Sequence, residues 1–243
     1  MLKVANKFTD LLSVPNFSVV LNTEGLYFLL FDEEFRKTVE EADIVFCDGI
    51  GLKIVLNIAG EKKIARLHGP DLFHKTLHGS HKKRQLILGG TEFAHKKLLD
   101  KYKNLKNNPD ISFFSDLINE DDMSNVMGIV EDFRPDIIHV CLGIRKQERI
   151  GSKLNQLRHN CAIVGVGASI DFESGNVVRS SVFFQRLGLE WLPRLVREPR
   201  MIPRQTRALI GFLIYAALGV LRIKKNKFAL TQILKKQFKV EDL

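Results

Sequence analysis

Short apolar runs recur along this chain and alternate with segments whose apolar residues have helical spacing. Runs of this length without a charged residue are typical of strands that are buried on both faces. Strands that alternate with helices of about ten residues predict βαβ units. We therefore predict an α/β, Rossmann-like fold with a mainly parallel sheet flanked by helices. The predicted strands are Phe17–Leu21, Ile44–Cys47, Gln85–Leu88, Ile111–Phe114, Ile137–Leu142 and Ala162–Val166.

The segments between these strands predict helices, because their apolar residues return every three or four positions. A further helix is expected to begin near Ile50, after a glycine turn. The predicted helices with helical spacing are Asp32–Glu41, Pro70–Leu77, Glu92–Tyr102, Met123–Phe133 and Lys146–Leu157.

The net charge of +9 is concentrated in the last quarter of the chain. Residues 179–243 hold 14 Lys and Arg against 4 Asp and Glu, whereas residues 1–178 hold 23 against 24. We predict an α/β catalytic core over residues 1–178 and a basic, partly apolar appendage over residues 179–243. A basic segment on a neutral body implies a polyanionic partner, which can be nucleic acid, anionic lipid or a phosphorylated substrate.

The appendage contains one long apolar segment, Ala208–Leu221, with Arg207 before it and Arg222 to Lys227 after it. As a helix it would be roughly 21 Å long, whereas a bilayer core is about 30 Å thick. It is therefore too short to span a membrane, and its basic flanks favour a helix lying on an anionic membrane surface. The alternatives are a core helix packed on the sheet or a contact in a homo-oligomer.

Cysteine is scarce, and Cys47, Cys141 and Cys161 each lie in an apolar run. An odd, scattered set of thiols indicates a reducing compartment and not a disulfide framework. Residues 1–16 lack the basic start and long apolar core of a secretory signal. We therefore expect a cytoplasmic protein.

One carboxylate stands where a predicted strand ends. The stretch Ala42–Gly51 runs from the apolar residues Ile44–Cys47 into Asp48 and a glycine turn. In an open α/β sheet, ligands bind at the carboxyl ends of the strands, so Asp48 could meet a substrate while the sheet holds its backbone still. The alternative is that Asp48 only caps the helix that begins near Ile50.

Glycine turns follow several of the predicted strands, at Gly49–Gly51, Gly89–Gly90, Gly143 and Gly165–Gly167. Such turns let the backbone approach a phosphate and lead into helix N-termini that favour anions. No complete G-x-G-x-x-G and no Walker-type lysine pattern is present. Together the turns indicate a nucleotide-sized crevice without naming the nucleotide.

The sequence offers little for a metal ion. His74 and His78 have the i, i+4 spacing of a metal pair, but no third ligand is evident. The chain has no Asp-x-Asp, which removes the usual metal clamp for a sugar diphosphate. We therefore expect no metal site.

These residues form an ordered pattern that resembles the bacterial WecG/TagA/CpsF family of glycosyltransferases. The pattern runs from about Phe17 to Arg207, and its order, ending in Glu190-Trp191, makes it specific. Its segments are Val20-Leu21-Asn22 with Glu24; Ala42-Asp43 through Asp48-Gly49-Ile50-Gly51; Arg66 with Gly69-Pro70-Asp71-Leu72; Gly143 with Lys146-Gln147-Glu148; Gly165-Val166-Gly167 with Asp171 and Gly175; Arg179; and Gly188-Leu189-Glu190-Trp191-Leu192 with Arg194, Glu198-Pro199 and Arg204.

The resemblance implies an inverting transfer of a sugar, of the N-acetylmannosamine type or a similar hexose, from a UDP-sugar. The acceptor is a sugar linked to undecaprenyl diphosphate, and the product feeds bacterial surface polysaccharide or teichoic acid. The resemblance also implies no metal, no cofactor, and a peripheral position on the inner face of the cytoplasmic membrane. A C-terminal appendage closes over the site in such proteins.

By the same resemblance, Asp48 is the catalytic base, and the appendage arginines Arg194 and Arg204 reach the diphosphate. The remaining substrate-binding residues implied in this way are Asn22, Thr23, Arg66, Gln147, Gly165, Gly167 and Arg179.

The chain departs from the family pattern at several positions. Val20 stands where a Thr is usual, and Thr23 could supply that polar contact. Met201 stands where an appendage arginine is expected, although Arg200 is adjacent. The other departures are Arg145 for Pro, Ser180-Ser181 for Ala-Pro, and Pro193 for an aromatic residue.

The residue types fit this chemistry. An inverting transfer needs one base that takes the proton of the acceptor hydroxyl, and Asp48 is the candidate. The departing nucleoside diphosphate develops charge that a metal or cations must meet. Without an Asp-x-Asp clamp, the arginine-rich segment 179–207 is expected to supply those cations. A lipid-linked acceptor would account for the apolar segment and its basic flanks.

A nucleotide-binding or nucleic-acid-binding protein without transferase activity is the alternative, since it too would account for the basic segment. However, Ala208–Leu221 has no charge for phosphates and only Phe212 and Tyr215 to stack on bases. We therefore expect no nucleic-acid partner.

Overall fold

The computed structural model describes residues 16–58, 67–79, 83–103, 110–114, 123–157, 160–181, 184 and 190–220, apart from five side chains in the last helices, at positions 194, 196, 197, 219 and 220. Within these ranges the chain forms an α/β structure with a single described sheet.

The sheet has six strands in the order β2-β1-β6-β5-β3-β4, and every neighbouring pair is parallel. The Rossmann-like prediction is therefore confirmed, as are all six predicted strands. Two of the strands end earlier than predicted. The strands are β1 (Asn16–Leu21), β2 (Ile44–Cys47), β3 (Gln85–Leu88), β4 (Ile111–Phe114), β5 (Ile137–Val140) and β6 (Ala162–Gly165).

Helices connect the strands and continue after the sheet. All the helices predicted from spacing are present, with small differences at their ends. They are α1 (Thr23–Phe31), α2 (Glu33–Glu41), α3 (Ile50–Ile58), α4 (Gly69–Gly79), α5 (Glu92–Tyr102), α6 (Met123–Phe133), α7 (Lys146–Gln156), α8 (Ser169–Glu173), α9 (Trp191–Arg197) and α10 (Ile202–Val220), with a 3₁₀ turn at Pro199–Met201 before α10.

The helix α1 has no counterpart among the predictions. Its sequence is almost entirely apolar, so no polar face marks a helical period. Its beginning is fixed locally, because the Asn22 side-chain oxygen accepts a hydrogen bond of 3.0 Å from the Gly25 amide.

Apolar side chains cover the sheet on both faces, as the uninterrupted apolar strands predicted. In β2, Val45 and Cys47 join one buried cluster, while Ile44 and Phe46 join the other. Because side chains alternate along a strand, the two clusters lie on opposite faces of the sheet. The carboxyl ends of β2, β1, β6 and β5 are neighbours, so the residues after them share one edge.

The last helix, α10, packs mainly against α1 and α3. Tyr215 is buried in the core, and Gly211 lies against the α1 backbone. The opposite face of α10 is exposed and apolar, with Ile202, Leu209, Ile210 and Leu213. One face of the predicted segment 208–221, whose last residue lies outside the described ranges, therefore packs on two helices of the core, and not on the sheet as the core-helix alternative had it. None of the described helices combines the length and apolarity needed to cross a bilayer.

A buried carboxyl group organises the beginning of α7. Arg145 has a left-handed backbone, with φ 75, and its amide donates to Glu148 Oε2 at 2.6 Å. Gln147 Nε2 donates to Glu148 Oε1 at 2.6 Å. Burial raises the pKa of Glu148 to about 7, and these hydrogen bonds oppose the rise only in part.

We predict that Gly211→Ala destabilises the chain by about 1–3 kcal/mol through overpacking. A Cβ at this position would lie 2.6 Å from the Tyr27 backbone nitrogen and 2.9 Å from the Thr23 carbonyl oxygen. Gly128→Ala in α6 is the control, because nothing lies within 4 Å of its added Cβ. It should gain up to about 1 kcal/mol of helix propensity. Denaturant unfolding measures both, and a Gly211→Ala protein as stable as the original would contradict the close contact.

We predict that Glu148 makes stability fall as pH rises. The pKa of this carboxyl group is 4.5 in an unfolded chain, whereas burial raises it to about 7 in the folded chain. Folding therefore becomes less favourable between these pH values, by about 3 kcal/mol at 1.36 kcal/mol per unit. Glu148→Gln lacks this loss, so its stability relative to the original chain should rise between pH 4.5 and 8. Denaturant unfolding at pH 4.5 and at pH 8 measures this difference between the two proteins. An equal difference in unfolding free energy at both pH values would contradict the raised pKa of Glu148.

Candidate active site

A cleft of ≈ 450 Å³ opens at the carboxyl edge of the sheet. Its walls come from the turn after β2, the beginning of α4, the segment after α8, and the appendage. The lining residues are Asp48, Gly49, His68, Pro70, Phe172, Val177, Val178, Arg179, Ser180, Ser181, Phe184, Glu190, Trp191, Pro193, Glu198, Met201, Arg204 and Gln205.

Asp48 lies in the wall of this cleft on a fixed backbone. Its amide donates to the Leu21 carbonyl at 2.8 Å, which ties the turn after β2 to the end of β1. The next residue, Gly49, has φ 84, a left-handed conformation that suits glycine. The Asp48 side chain is 27% exposed. Within the described residues its carboxylate caps no helix, so the capping alternative has no support from the geometry.

Among the described residues, the imidazole of His68 lies beside the Asp48 carboxylate, with Nδ1 3.5 Å from Asp48 Oδ1. The Leu67 amide donates to the Cys47 carbonyl at 2.9 Å, and this bond brings His68 beside the end of β2. Sequence reasoning missed His68. Its place two residues before the helix predicted from Pro70 gave no hint of this approach to Asp48.

Arg179 lies between two acidic side chains in the cleft wall. Its Nη1 donates to Asp71 Oδ1 at 2.5 Å, and its Nη2 is 3.7 Å from Glu190 Oε1. Both carboxylates belong to the ordered sequence pattern, but neither was assigned a role there. The pairings join the beginning of α4 to the segment that precedes α9.

Arg204 reaches the cleft from α10 and also contacts the core. Its Nε is 3.0 Å from Oε2 of Glu24, a carboxylate on α1 that is 2% exposed. Arg207, on the next turn of α10, donates to Glu24 Oε1 through Nη2 at 2.7 Å and through Nε at 3.0 Å. The structure thus brings together three predicted site residues, Asp48, Arg179 and Arg204.

Five other predicted site residues lie near the same edge of the sheet but outside the lining of the cleft. Gln147 connects the beginning of α7 to the turn after β6, since its Oε1 accepts a hydrogen bond of 2.8 Å from the Gly167 amide. A Cβ at Gly165 would lie 3.4 Å from the Gln147 side chain. Asn22 caps α1, and Thr23 packs against Gly51 in the helix after Asp48.

Two predicted residues receive no side-chain description. Arg66 falls outside the described residues, and Arg194 lies in α9 with its side chain undescribed. Their roles remain predictions.

A possible cation site lies outside the lining of the cleft. The histidine pair His74 and His78 does have a third potential ligand, Glu173, which was not recognised in the sequence. However, Glu173 Oε1 already accepts from Lys101 at 2.7 Å and from Tyr102 at 2.5 Å, and His74 lies 2.9 Å from Oε2. Burial raises the pKa of Glu173, but these hydrogen bonds outweigh it and lower the pKa to about 2. A cation would have to displace the Lys101 ammonium group.

Among the described residues, the cleft combines the accessible Asp48 carboxylate, a histidine beside it, and the guanidinium groups of Arg179 and Arg204. Glu190 and Glu198 also line the cleft, and each lies close to an arginine. Such a set can remove a proton from a hydroxyl group and stabilise a departing anion.

Comparisons with known proteins identify the family of this chain. The model of the glycosyl transferase WecG/TagA/CpsF family matches residues 3–226. The N-acetylglucosaminyldiphosphoundecaprenol N-acetyl-beta-D-mannosaminyltransferase of Bacillus spizizenii (strain ATCC 23059 / NRRL B-14472 / W23) is 30% identical over 185 residues, covering 75% of this chain and 72% of that protein. The protein of the same name from Bacillus subtilis (strain 168) is 28% identical over 209 residues, covering 85% and 79%. The chain therefore belongs to the glycosyl transferase WecG/TagA/CpsF family and is a glycosyltransferase, as the ordered motifs predicted.

Proposed function

We propose that this chain transfers an N-acetylmannosamine-type sugar, or a similar hexose, from a UDP-sugar to a sugar linked to undecaprenyl diphosphate. The names of the two Bacillus relatives state this acceptor and this sugar for those proteins. The observation that carries the proposal is the accessible Asp48 carboxylate, which faces a cleft that arginines also line. Bacterial surface polysaccharide or teichoic acid would receive the product. Family membership does not favour the alternative of a binding protein without transferase activity.

In the proposed mechanism, Asp48 accepts the proton of the acceptor hydroxyl. The freed oxygen attacks the anomeric carbon from the face opposite UDP, so the new C–O bond forms as the bond to UDP breaks. The electron pair of the broken bond leaves with UDP, and the configuration at the anomeric carbon inverts. His68 lies beside the base and is close enough to interact with the protonated carboxyl group.

Guanidinium groups would meet the charge that develops on the leaving diphosphate. Arg179 and Arg204 line the cleft, and Arg66 and Arg194 are expected to join them. An arginine presents paired donors that match phosphate oxygens. The proposed transfer therefore needs neither metal nor cofactor, and residues 179–243 act as the appendage that completes the site.

We predict that Asp48→Asn lowers the transfer rate about 10²- to 10⁴-fold, because an amide cannot accept the proton. The measurement is UDP release from UDP-N-acetylmannosamine, with a polyprenyl-diphosphate-linked N-acetylglucosamine as the acceptor. Asp132→Asn, at an exposed carboxylate in α6 outside the cleft lining, is the matched control and should keep full activity. Full activity in Asp48→Asn would refute its role as the base.

We also propose that the exposed apolar face of α10 lies on the inner surface of the cytoplasmic membrane. Leu209 is 57% exposed and Leu213 55%, and both stand on the side opposite the buried Tyr215. The basic residues Arg222 to Lys227 follow directly in the sequence, which suits anionic headgroups. A lipid-linked acceptor would then enter the cleft from the surface on which the helix lies.

We predict that Leu209→Ser with Leu213→Ser weakens binding to phosphatidylglycerol-containing vesicles about tenfold or more, because each leucine loses apolar burial. Vesicle co-sedimentation measures the effect. Leu99→Ser in α5, which is also exposed, is the control and should bind as the original chain does. Unchanged vesicle binding in the double variant, with a changed oligomeric state, would assign this face to a homo-oligomer instead.

A further inference from the structure

The carboxylate of Glu24 is buried and faces two guanidinium groups. It belongs to the first turn of α1, and it is 2% exposed. A buried carboxylate is stable only when it is paired, since losing its partners leaves an uncompensated charge in a poorly solvated place. Arg204 and Arg207 supply that pairing from α10. Each helix therefore depends on the other at this point.

The two arginines contact Glu24 in different ways. Arg207 donates to Oε1 through both Nε and Nη2, and its guanidinium lies 5.5 Å from the centre of the Phe28 ring. Arg204 approaches Oε2 with its Nε, at 3.0 Å. This contact is an ion pair without a hydrogen bond, because Glu24 Oε2 has no hydrogen-bond partner among the described residues. Arg204 lines the cleft and is 43% exposed, whereas Arg207 is absent from the lining.

The surrounding backbone holds this arrangement in register. Gly211 lies one turn beyond Arg207, on the face that meets α1, and its closeness to Tyr27 and Thr23 sets the distance between the helices. Tyr215 adds a buried contact a further turn along. Because these contacts hold α1 and α10 together, the ion pair with Glu24 limits the directions in which the Arg204 guanidinium can point.

We propose that Glu24 is a positioning residue that aims Arg204 at the diphosphate of the donor. The inference rests on the proposed transfer from a UDP-sugar. Glu24 accepts two hydrogen bonds from Arg207 through Oε1, and its Oε2 forms an ion pair with Arg204, which also lines the cleft. One negative and two positive charges leave this cluster with a surplus positive charge for the leaving group.

For Glu24→Gln, the proposal predicts a change in UDP binding opposite in direction to the change that charge alone predicts. Glu24→Gln removes a negative charge close to where a polyanion would bind, so charge alone predicts tighter binding of UDP. Loss of the Glu24 carboxylate also removes the group that orients Arg204. If Glu24 positions Arg204, the substitution therefore weakens the binding of UDP. The direction of the change therefore separates the two accounts.

The test uses the full chain and UDP as the probe, with uridine as the comparison that lacks phosphates. Trp191 is the single tryptophan and lines the cleft, so its fluorescence reports binding. Glu24→Gln should weaken UDP binding about tenfold or more and leave uridine binding nearly unchanged, as expected for a lost charge-assisted contact. Asp32→Asn is the control, because Asp32 is also held by an arginine, Arg145 at 2.6 Å, outside the cleft lining. It should bind UDP as the original chain does.

Glu24→Asp provides a second variant that keeps the charge and so protects folding. Its shorter side chain should withdraw Arg204 from the cleft and weaken UDP binding, although the net charge is unchanged. The combination of Glu24→Gln with Arg204→Lys should bind UDP no more weakly than Arg204→Lys alone, because both changes remove the same contact.

Binding of UDP by Glu24→Gln or by Glu24→Asp at the original strength, or more tightly, would overturn the inference. If the double variant Glu24→Gln with Arg204→Lys loses UDP binding by the sum of the two single effects, the inference is also overturned. If the original chain fails to bind UDP, the proposed function fails, and the inference falls with it. If the original chain binds UDP and the variants match it, only the role of Glu24 is refuted.

Discussion

The parallel pairing of β1 with β2 is the constraint on which the site depends. It sets Leu21 opposite Cys47, and the Asp48 amide then donates to the Leu21 carbonyl. The Leu67 amide extends the same edge by donating to Cys47. These backbone bonds place Asp48 and His68 side by side at the carboxyl edge, where a parallel sheet presents its ligands. Because backbone hydrogen bonds hold Asp48 in place, its side chain is not needed for this and remains available to a substrate.

The sheet was predictable because most of its strands are buried on both faces, so their sequences are short, mainly apolar runs without a charged residue. The position of Asp48 followed from the same pattern, since it directly follows such a run. The helix α1 escaped prediction because its sequence is almost entirely apolar, without a polar side to mark the helical period. His68 escaped because only a bond to the end of β2 brings it to Asp48.

The pairing of Glu24 with Arg207 could not be found from local patterns either. The two residues are 183 positions apart in the chain, and no spacing rule connects them. Glu24 was noted only as part of the ordered family pattern. The structure adds the reason for an acidic residue there, which is to hold arginines of a helix from the far end of the chain.

The two faces of the helix α10 have different surroundings. Its inner face docks on α1 through Gly211 and Tyr215, so Arg204 has a stable base from which to reach the cleft. Its outer face presents apolar side chains that no described residue covers. This division suits the proposed transfer from a nucleotide sugar to a lipid-linked acceptor.

The stereochemistry of the product tests the central claim most directly. With a UDP-α-sugar donor and a polyprenyl-diphosphate-linked acceptor, a single carboxylate base allows one direct displacement at the anomeric carbon. The account predicts a product with the β configuration, identified from the one-bond coupling between the anomeric carbon and its proton in the NMR spectrum. A product that retains the α configuration would contradict Asp48 as the lone base.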